Sequence, residues 1–397
     1  MPLPLEDIKI LDLSRLLPGP FATLLLGDLG ADVLKIEDNI QGDYARWREP
    51  YVKTKDGKKL NYTFYCLNRN KKSITLNLKT EKGRKIFYKL AKNADIILES
   101  FRPGVVKKLG VDYETIKKIN PKIIYCSLTG YGQNGNYANM VGHDLNYISV
   151  AGLGILTGEY GGNPHPPGIQ IADLGTGGMN CVIAILSALI ARDKFDLGQY
   201  IDVAMQDGIV YWLVRKFAEF IVNNKEPQTG GERLTGYLPS YNIYQTKDGK
   251  YIALGALEEK FWKNLCQVLN CPEYSEEPSP LGSKRDEIHN FLKEKFKEKT
   301  RDEWFEQMKD IDICISKVNE FKEVLDDEHI KSRNMFIEFN SPKLGPSKMV
   351  GFPFKLSKTP CKVRFDAPEY GEHNYEVLKS LGYSDKEIER FKNEKVI

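Results

Sequence analysis

The first 130 residues of the chain alternate between strand-like and helix-like stretches, and this alternation constrains the fold more than any other feature. Short apolar stretches are separated by amphipathic ones, such as EKGRKIFYKLAKNA (81–94) and YETIKKIN (113–120). Strands that alternate with helices favour a parallel sheet covered by helices on both faces, which is the α/β class. The five strand-like stretches are IKILDLS (8–14), ADVLKIE (31–37), KSITLNL (72–78), DIILESF (95–101) and KIIYCSL (122–128).

The turn after the first of these stretches carries no glycine-rich phosphate-binding fingerprint. It has the sequence SRLLPGP (14–20), whereas a dinucleotide-binding fold carries GxGxxG at this place. The sequence therefore argues against an ordinary NAD site in this α/β unit.

The length of 397 residues exceeds what one hydrophobic core usually supports, so two domains are expected. A polar, glycine-rich segment, NNKEPQTGGERLTG (223–236), interrupts the pattern, and a hairpin signal follows in YNIYQTKDGKYIALG (241–255). We predict a large domain, a connecting helix or linker, and a smaller α+β domain. Their bounds are 1–198 with 330–397 for the large domain, 199–226 for the linker and 227–329 for the small domain.

Composition and charge argue against several classes of protein. Lys and Arg number 57 and Asp and Glu 54, so the formal net charge of +3 gives no sign of nucleic-acid binding. The most apolar run, Cys181–Ala191, is shorter than the roughly 20 residues that span a bilayer, so it predicts a buried helix and no membrane partner. Seven scattered cysteines favour a reducing cytoplasm, and five scattered histidines form no metal-ligand motif, so no structural metal is expected.

Asp173 is the first candidate for chemistry. It lies in IQIADLGTGGM (169–179), where a short apolar stretch meets small residues and then a long apolar helix. Free backbone N–H groups at a helix N-terminus stabilise a carboxylate, and Gly175, Gly177 and Gly178 would let a ligand approach the backbone closely. The local pattern alone favours an N-cap aspartate over a catalytic one and leaves both interpretations open.

His143 and Glu258 are the other candidates for proton transfer. His143 lies in GHDLNY (142–147), and histidine is the usual acid–base residue near neutral pH. The neighbouring Asp144 need not orient the histidine, because adjacent side chains point in different directions. Glu258 follows a strand-like run at the start of a predicted helix, where the helix dipole favours an acid with or without a catalytic role.

Several basic residues lie near predicted strand ends, where open α/β sheets bind ligands. They indicate a phosphorylated ligand, with a solvated charged face as the alternative. The residues are Lys71, Lys72, Lys79, Arg102, Lys107 and Lys108.

Taken together and in this order, the segments of the chain resemble the family III coenzyme A transferase superfamily, and within it the α-methylacyl-CoA racemases. The resemblance implies an interlocked homodimer, with a Rossmann-like large domain and a smaller domain in each chain. It places the active site between the large domain of one subunit and the small domain of the other. The segments that carry the resemblance are ILDLSRLLPGP, LGADVLKIE, NKKSITLNLK, ESFRPGVVKKLG, LTGYGQNGNYANMVGHDLNY, PPGIQIADLGTGGM, GQYIDVAMQDG, YQTKDGKYIALGALE and GEHNYEVL.

The resemblance also assigns catalytic roles to individual residues. The superfamily's catalytic aspartate falls on Asp173, the racemase histidine on His143, and the glutamate that assists the histidine on Glu258. Glu259 and Lys260 depart from the Pro and Gln that follow this glutamate in the family.

The family's coenzyme A contacts carry over as well. One departure is Asp38, which stands where most members have a basic residue directly after the K-I-E strand, and Arg46 is the candidate replacement for that phosphate contact. The other contacts are expected from Leu76 and Lys79 near the adenine, from Phe101, Arg102 and Lys108 near the phosphates, and from Asp144 and Tyr147 near the pantetheine.

The implied reaction is the interconversion of (R)- and (S)-2-methylacyl-CoA, by removal and return of the proton α to the thioester. The alternative is transfer of coenzyme A between carboxylic acids through an aspartyl-CoA intermediate on Asp173, and AMQDG (204–208) is shared with such transferases. A third interpretation is an acyl-CoA-binding protein without catalysis. In each case coenzyme A enters as part of the ligand, and no permanently bound cofactor is expected.

Overall fold

The computed structural model describes residues 2–397, and their contacts divide the chain into two compact units. The first unit comprises the chain through Ala151, Ile169–Trp212 and His329–Ile397, and the second comprises Gly152–Gly168 and Leu213–Glu328. This division differs from the predicted domain bounds, because it contains no separate linker: residues 213–226 lie in the second unit. Residues 199–212, predicted as linker, lie in the first unit, and residues 152–168, predicted in the large domain, lie in the second.

Short strands and helices alternate along most of residues 2–397. The strands are β1 (Lys9–Asp12), β2 (Asp32–Glu37), β3 (Tyr51–Lys53), β4 (Lys59–Asn61), β5 (Lys71–Thr75), β6 (Ile96–Glu99), β7 (Ile124–Thr129), β8 (Gln199–Ala204), β9 (Tyr241–Gln245), β10 (Tyr251–Gly255), β11 (Ile315–Lys317), β12 (Phe336–Ser341) and β13 (Gly345–Val350). The α-helices are α1 (Pro18–Asp28), α2 (Tyr62–Leu67), α3 (Glu81–Ala91), α4 (Val105–Leu109), α5 (Tyr113–Ile116), α6 (Asp144–Val150), α7 (Asn180–Phe195), α8 (Met205–Trp212), α9 (Val214–Asn223), α10 (Glu259–Leu269), α11 (Gly282–Phe296), α12 (Arg301–Met308), α13 (Phe321–Asp326), α14 (Glu328–Ser332), α15 (Asn374–Ser380) and α16 (Asp385–Asn393).

Six of these strands form one parallel sheet in the first unit, in the order β5-β2-β1-β6-β7-β8. The predicted α/β class is therefore confirmed. When the six strands are numbered in chain order, they stand in the order 3-2-1-4-5-6. The second and third strands therefore lie to one side of β1 and the last three to the other, so the order switches between β1 and β6. Sheets of this order bind ligands in the crevice outside the carboxyl ends of the strands at this switch.

Alternating side chains of the sheet strands face two different helical layers. On one face Tyr125 of β7 belongs to a core that includes Phe87 of α3 and Phe391 of α16. On the other face Cys126 of β7 lies 3.8 Å from Cys181 of α7, measured between the sulfur atoms. Helices therefore cover both faces, as a parallel sheet requires.

Strand β8 is an element that the sequence interpretation missed, because its residues were assigned to the linker. It pairs in parallel register with β7 over its whole length. Its first four residues are exposed or half-buried, since β8 forms the edge of the sheet. An edge strand without a continuous apolar run gives only a weak strand signal.

The apolar run predicted as a buried helix is buried on one face only. The continuous helical stretch Ala172–Phe195 is long and apolar enough to cross a membrane by length and composition, and 44% of its apolar window is buried. Cys181 and Ile185 are buried, whereas Ile183 and Ile190 are 62% and 56% exposed. The prediction is therefore corrected for the outer face of α7.

The second unit is built on a three-stranded antiparallel sheet in the order β11-β10-β9. Its β9–β10 pair is the hairpin predicted from YNIYQTKDGKYIALG, which the structure confirms. Its core is aromatic, with Trp262 of α10, Phe296 of α11 and Trp304 of α12 buried around Tyr244 of β9. Both indole N–H groups donate hydrogen bonds to backbone carbonyls, so these large side chains are buried without an unsatisfied donor.

Candidate active site

Asp173 lies in the π-helix Ala172–Met179, which leads directly into α7. The N-cap of this helix is Ile171, and Asp173 is in its first turn. The Asp173 side chain accepts no backbone N–H of residues 2–397. The N-cap interpretation is therefore wrong, and the carboxylate is held at this position without capping the helix.

The glycines of this π-helix make room for protein side chains. A Cβ atom at Gly175 would lie 2.2 Å from Cη2 of Trp212, and one at Gly178 would lie 2.6 Å from Cδ1 of Phe21. Helices α1 and α8 thus pack directly against the π-helix backbone. The expectation that these glycines admit a ligand is corrected, because neighbouring side chains fill the space.

Gly178→Ala is expected to lower the free energy of unfolding by about 1–3 kcal/mol, the usual range for overpacking a filled core. The added methyl group would meet the Phe21 ring and also the carbonyl oxygen of Pro18 at 3.1 Å. Denaturant unfolding measures the change. Gly168→Ala is the matched control, since a Cβ atom there meets nothing within 4 Å. Equal midpoints for the two variants would contradict the packing described for Gly178.

The Asp173 carboxyl is electrostatically unusual. Desolvation by burial, followed by the charge of Asp144, raises its pKa from 3.8 to about 6. No donor of residues 2–397 forms a hydrogen bond with its oxygens, so nothing offsets the cost of burial. A carboxyl that changes charge near neutral pH, with its oxygens free of internal partners, is suited to take up and release a proton.

Helix α6 fixes the surroundings of Asp173. Asp144, the first residue of α6, accepts the backbone N–H of Asp173 at 2.9 Å through Oδ1 and is 8% exposed. Tyr147 lies one turn further along and packs edge-to-face on Tyr131, with ring centroids 5.0 Å apart. A Cβ atom at Gly130 would lie 2.1 Å from the Tyr147 ring, so the chain after β7 requires glycine there.

The pKa of Tyr147 shows which charges lie close to it. Burial first, and then the negative charge of Asp173, raise this pKa to about 12, while the positive charge of Arg102 opposes the rise. The hydroxyl therefore stays protonated at neutral pH and donates a hydrogen bond to the carbonyl oxygen of Gly142. The structure thus brings Asp173, Asp144, Tyr147 and Arg102 together.

His143 is the N-cap residue of α6, directly before the buried Asp144. Its backbone N–H donates to Oδ1 of Asn146 at 3.0 Å, so Asn146 closes the first turn of the helix. The His143 side chain is exposed. The histidine ring is therefore available to a ligand, and Asp144 is turned away from it towards the backbone of Asp173.

Glu258 lies in the second unit, where it is the N-cap residue of α10 without a side-chain capping bond. It lies close to Cys314, where partial desolvation first and then the charge of Glu258 raise the pKa of the thiol. The first unit thus holds the other predicted catalytic residues, and Glu258 belongs to a different part of the chain.

The predicted coenzyme A contacts differ in what they offer. Leu76 is 2% exposed, and its backbone N–H donates to the carbonyl oxygen of Glu37 at 2.7 Å. Phe101 follows β6, and its backbone N–H donates to Oε2 of the buried Glu99 at 2.7 Å. Three basic residues of this set are exposed, and they are Lys79, Arg102 and Lys108.

Arg46 does not fit the phosphate role expected from the sequence. Its Nε and Nη2 donate to both oxygens of Glu37 at 2.8 and 2.7 Å, and its Nη1 donates to the carbonyl oxygen of Pro368. The guanidinium also stacks over the Phe64 ring at 3.9 Å, and the side chain is 8% exposed. This expectation is corrected: Arg46 is committed to a bidentate internal ion pair.

A buried network of charges fixes the loop that follows β1. Lys35 donates to the carbonyl oxygen of Ser14 at 2.8 Å and pairs with Asp43 at 2.9 Å, with both charged side chains fully buried. Asp43 in turn accepts the backbone N–H of Leu16, which adopts a left-handed conformation with φ of 65°. Such a conformation is costly for leucine and persists only when its surroundings enforce it. These contacts therefore fix the conformation of the loop at the carboxyl end of β1.

The family model for CoA-transferase family III matches residues 5–374. The chain belongs to CoA-transferase family III.

Two human relatives carry different names within this family. The chain is 35% identical over 394 residues to the human protein named succinyl-CoA:glutarate CoA-transferase, covering 97% of this chain and 88% of that protein. It is 32% identical over 400 residues to human α-methylacyl-CoA racemase, covering 99% of this chain and 97% of that protein. Both transferases and racemases are thus similar to this chain over nearly its full length.

A solved structure supports the family assignment and the fold. A CaiB/BaiF family protein from Brucella suis superposes with a TM-score of 0.84 at 30% identity, over 96% of this chain and all of that chain. The resemblance to this superfamily that was inferred from the sequence is therefore confirmed. The superfamily relatives of the chain include proteins named as coenzyme A transferases and proteins named as racemases.

Proposed function

We propose that this family III chain is an acyl-CoA racemase that moves the proton on the carbon α to the thioester. The observation that carries the proposal is the Asp173 carboxyl, which has a pKa of about 6 and no internal hydrogen-bond partner. Proton transfer is most efficient when the pKa of the group lies near the working pH. The exposed ring of His143, one residue before Asp144, supplies the second acid–base group that a 1,1-proton transfer needs.

The reaction divides into two proton transfers at one carbon. For one enantiomer the Asp173 carboxylate removes the α-proton, the electron pair enters an enolate, and protonated His143 returns a proton to the opposite face. For the other enantiomer the two residues exchange roles. Glu258 assists the histidine in this proposal, as the family resemblance implies. The substrate is a 2-methylacyl-CoA, and coenzyme A stays attached throughout.

We also propose that the chain works as an interlocked homodimer. Helix α9 of the second unit has no buried residue, although its sequence is strongly amphipathic. Its apolar side chains Val214, Ile221 and Val222 are 66%, 77% and 80% exposed. Apolar residues clustered on an uncovered helix mark a surface that another chain covers. Sedimentation velocity measures the state directly, and a monomer at micromolar concentration would contradict the proposal.

The pH profile of the reaction is expected to carry the Asp173 pKa. For the enantiomer whose proton Asp173 removes, kcat/KM should rise with pH through about 6, because only the ionised carboxylate is a base. Initial rates between pH 4.5 and 8 measure this limb. A profile that is nearly flat on its acid side from pH 4.5, as the ordinary aspartate pKa of 3.8 would give, would contradict the burial argument.

The second candidate function is transfer of coenzyme A between carboxylic acids. It is favoured by the 35% identity to the protein named succinyl-CoA:glutarate CoA-transferase and by the free oxygens of Asp173, which suit a nucleophile equally well. In this reaction the carboxylate forms a covalent acyl anhydride and then a thioester with coenzyme A. Only Asp173 would then be an essential side chain.

One assay with two readouts separates the candidates. A set of (R)- and (S)-2-methylacyl-CoA thioesters is incubated with the protein, with and without a dicarboxylic acid, and is analysed by chiral chromatography. The proposal expects inversion without an added acid. Borohydride added during turnover would reduce an aspartyl thioester, so a mass change on the peptide that contains Asp173 would favour the transferase.

A further inference from the structure

The loop after β1 presents an arginine to which the family resemblance assigns no role. The Arg15 guanidinium pairs with Oδ2 of Asp38 at 2.8 Å and donates to the Tyr44 hydroxyl at 3.0 Å. It also lies over two rings, with centroid distances of 5.6 Å to Phe101 and 5.3 Å to Tyr44. Its side chain is 26% exposed, so it is oriented by protein contacts and still open to solvent.

The position of this arginine is set by three sheet strands. Arg15 follows β1, Asp38 follows β2 and Phe101 follows β6, so the contacts join the carboxyl ends of three neighbouring strands. The strand order reverses between β1 and β6. Arg15 therefore lies at the crevice where a sheet of this order binds its ligand.

Asp38 is engaged by the protein and is not free to bind a ligand. Its Oδ1 accepts the backbone N–H groups of Ile40 and Gln41 at 3.0 and 2.9 Å, and its Oδ2 pairs with Arg15. The guanidinium donates a hydrogen bond to Tyr44 and forms an ion pair with Asp38, and its remaining N–H groups have no acceptor within residues 2–397. The unused hydrogen-bonding groups beside the end of β2 are therefore the N–H donors of the Arg15 cation.

We propose that Arg15 binds the ribose phosphate of coenzyme A and that Asp38 is the positioning residue that holds it. In nucleotide-binding sheets of this strand order, an acidic residue after the second strand reads free ribose hydroxyls, and an arginine nearby accommodates a ribose phosphate. Here the oxygens of the acidic residue are engaged by the protein, whereas the arginine keeps N–H groups without an internal acceptor, so the site is suited to a ribose phosphate. Guanidinium donors bind phosphate oxygens through charge-assisted hydrogen bonds. This inference rests on the proposed acyl-CoA function and names the residue that takes the role first expected of Arg46.

The test compares coenzyme A with dephospho-coenzyme A, which lacks only the ribose phosphate, by isothermal titration calorimetry. Wild type is expected to prefer coenzyme A. Arg15→Gln should weaken coenzyme A binding by about ten-fold, the effect of losing one charged hydrogen bond, and leave dephospho-coenzyme A unchanged. Arg15→Lys keeps the charge and should retain most of the preference.

Lys122→Gln is the control, because Lys122 precedes β7. The substitution removes one positive charge at the amino ends of the sheet strands, whereas Arg15 lies at their carboxyl ends. It should change neither affinity. An Arg15→Gln variant that keeps the wild-type preference, or that loses affinity for both ligands equally, would overturn the assignment. A wild-type chain that binds neither ligand would instead contradict the proposed acyl-CoA function, on which the assignment rests.

Discussion

Asp173→Asn is expected to lower racemisation of 2-methylacyl-CoA by about 10²- to 10⁴-fold, the usual contribution of a general acid–base residue. An amide cannot take up the α-proton or return it. For the enantiomer that Asp173 deprotonates, the exchange of the α-proton with solvent should fall by the same factor as racemisation. The substitution is close to isosteric, and the carboxylate has no internal hydrogen bond to lose. Chiral analysis of initial rates measures the effect.

The same variant is expected to be more stable than wild type at neutral pH. The folded-state pKa of about 6 lies above the unfolded value near 3.8, so folding favours the protonated carboxyl. Ionising Asp173 above pH 6 therefore costs stability, roughly 1–3 kcal/mol for a shift of this size. Asn removes that cost, and the advantage should shrink as the pH falls through 6 and vanish below about 4.

Thermal unfolding at pH 7.5 and pH 4 measures this difference. A gain in stability together with a loss of activity is expected when a group that is unfavourable for folding is retained because the reaction needs it. Full racemisation in Asp173→Asn would exclude the proton-transfer role, and lower stability at pH 7.5 would exclude the desolvated carboxylate.

His143→Gln is expected to abolish inversion, with a loss of at least about 10²-fold, because the second proton donor is missing. Asp173 still removes the α-proton from one enantiomer in this variant. That enantiomer should therefore exchange its α-proton with solvent and keep its configuration. Exchange without inversion is a result that a merely structural histidine would not produce.

His165→Gln is the matched control, since His165 is also an exposed loop histidine and carries no proposed role. It should leave the rates of inversion and exchange unchanged. Inversion at the wild-type rate in His143→Gln would contradict the two-base scheme and favour a reaction that needs Asp173 alone.

The fold was largely predictable because most strands of the parallel sheet have a clear local pattern. The strands β1, β2, β5, β6 and β7 each contain a short apolar run bounded by turns or amphipathic helices. Strand β8 lacks such a run because it lies at the sheet edge with mixed exposure, so its pairing depends on a neighbour distant in sequence. The edge strand is therefore the part of the sheet that a local pattern does not predict.

The sequence singled out Asp173 as a candidate, but the burial and charges that set its pKa depend on the fold. Asp173 stands out through its glycine-rich surroundings, yet only the fold shows that those glycines pack against Trp212 and Phe21. Its raised pKa depends on burial and on Asp144, which is 29 residues away along the chain. Local sequence favoured a capping aspartate, because capping is a common role of that residue type at a helix start.

The two arginines show the same limit. The sequence interpretation selected Arg46 as the phosphate ligand and did not consider Arg15, although both lie in loops next to predicted strands. The structure distinguishes them because Glu37 binds Arg46 through both oxygens and buries it, whereas Arg15 keeps open donors at the crevice. Both arginines form an internal ion pair, and only tertiary contacts decide which of them keeps N–H donors open to solvent.

The most direct test of the proposed reaction is α-proton exchange in heavy water with a single-enantiomer 2-methylacyl-CoA. Mass spectrometry and chiral chromatography follow the same sample over time. We predict that one deuterium enters the α position, that the configuration inverts, and that coenzyme A remains on the same acyl group. Absence of deuterium, together with coenzyme A recovered on an added carboxylic acid, would contradict proton transfer and identify the chain as a transferase.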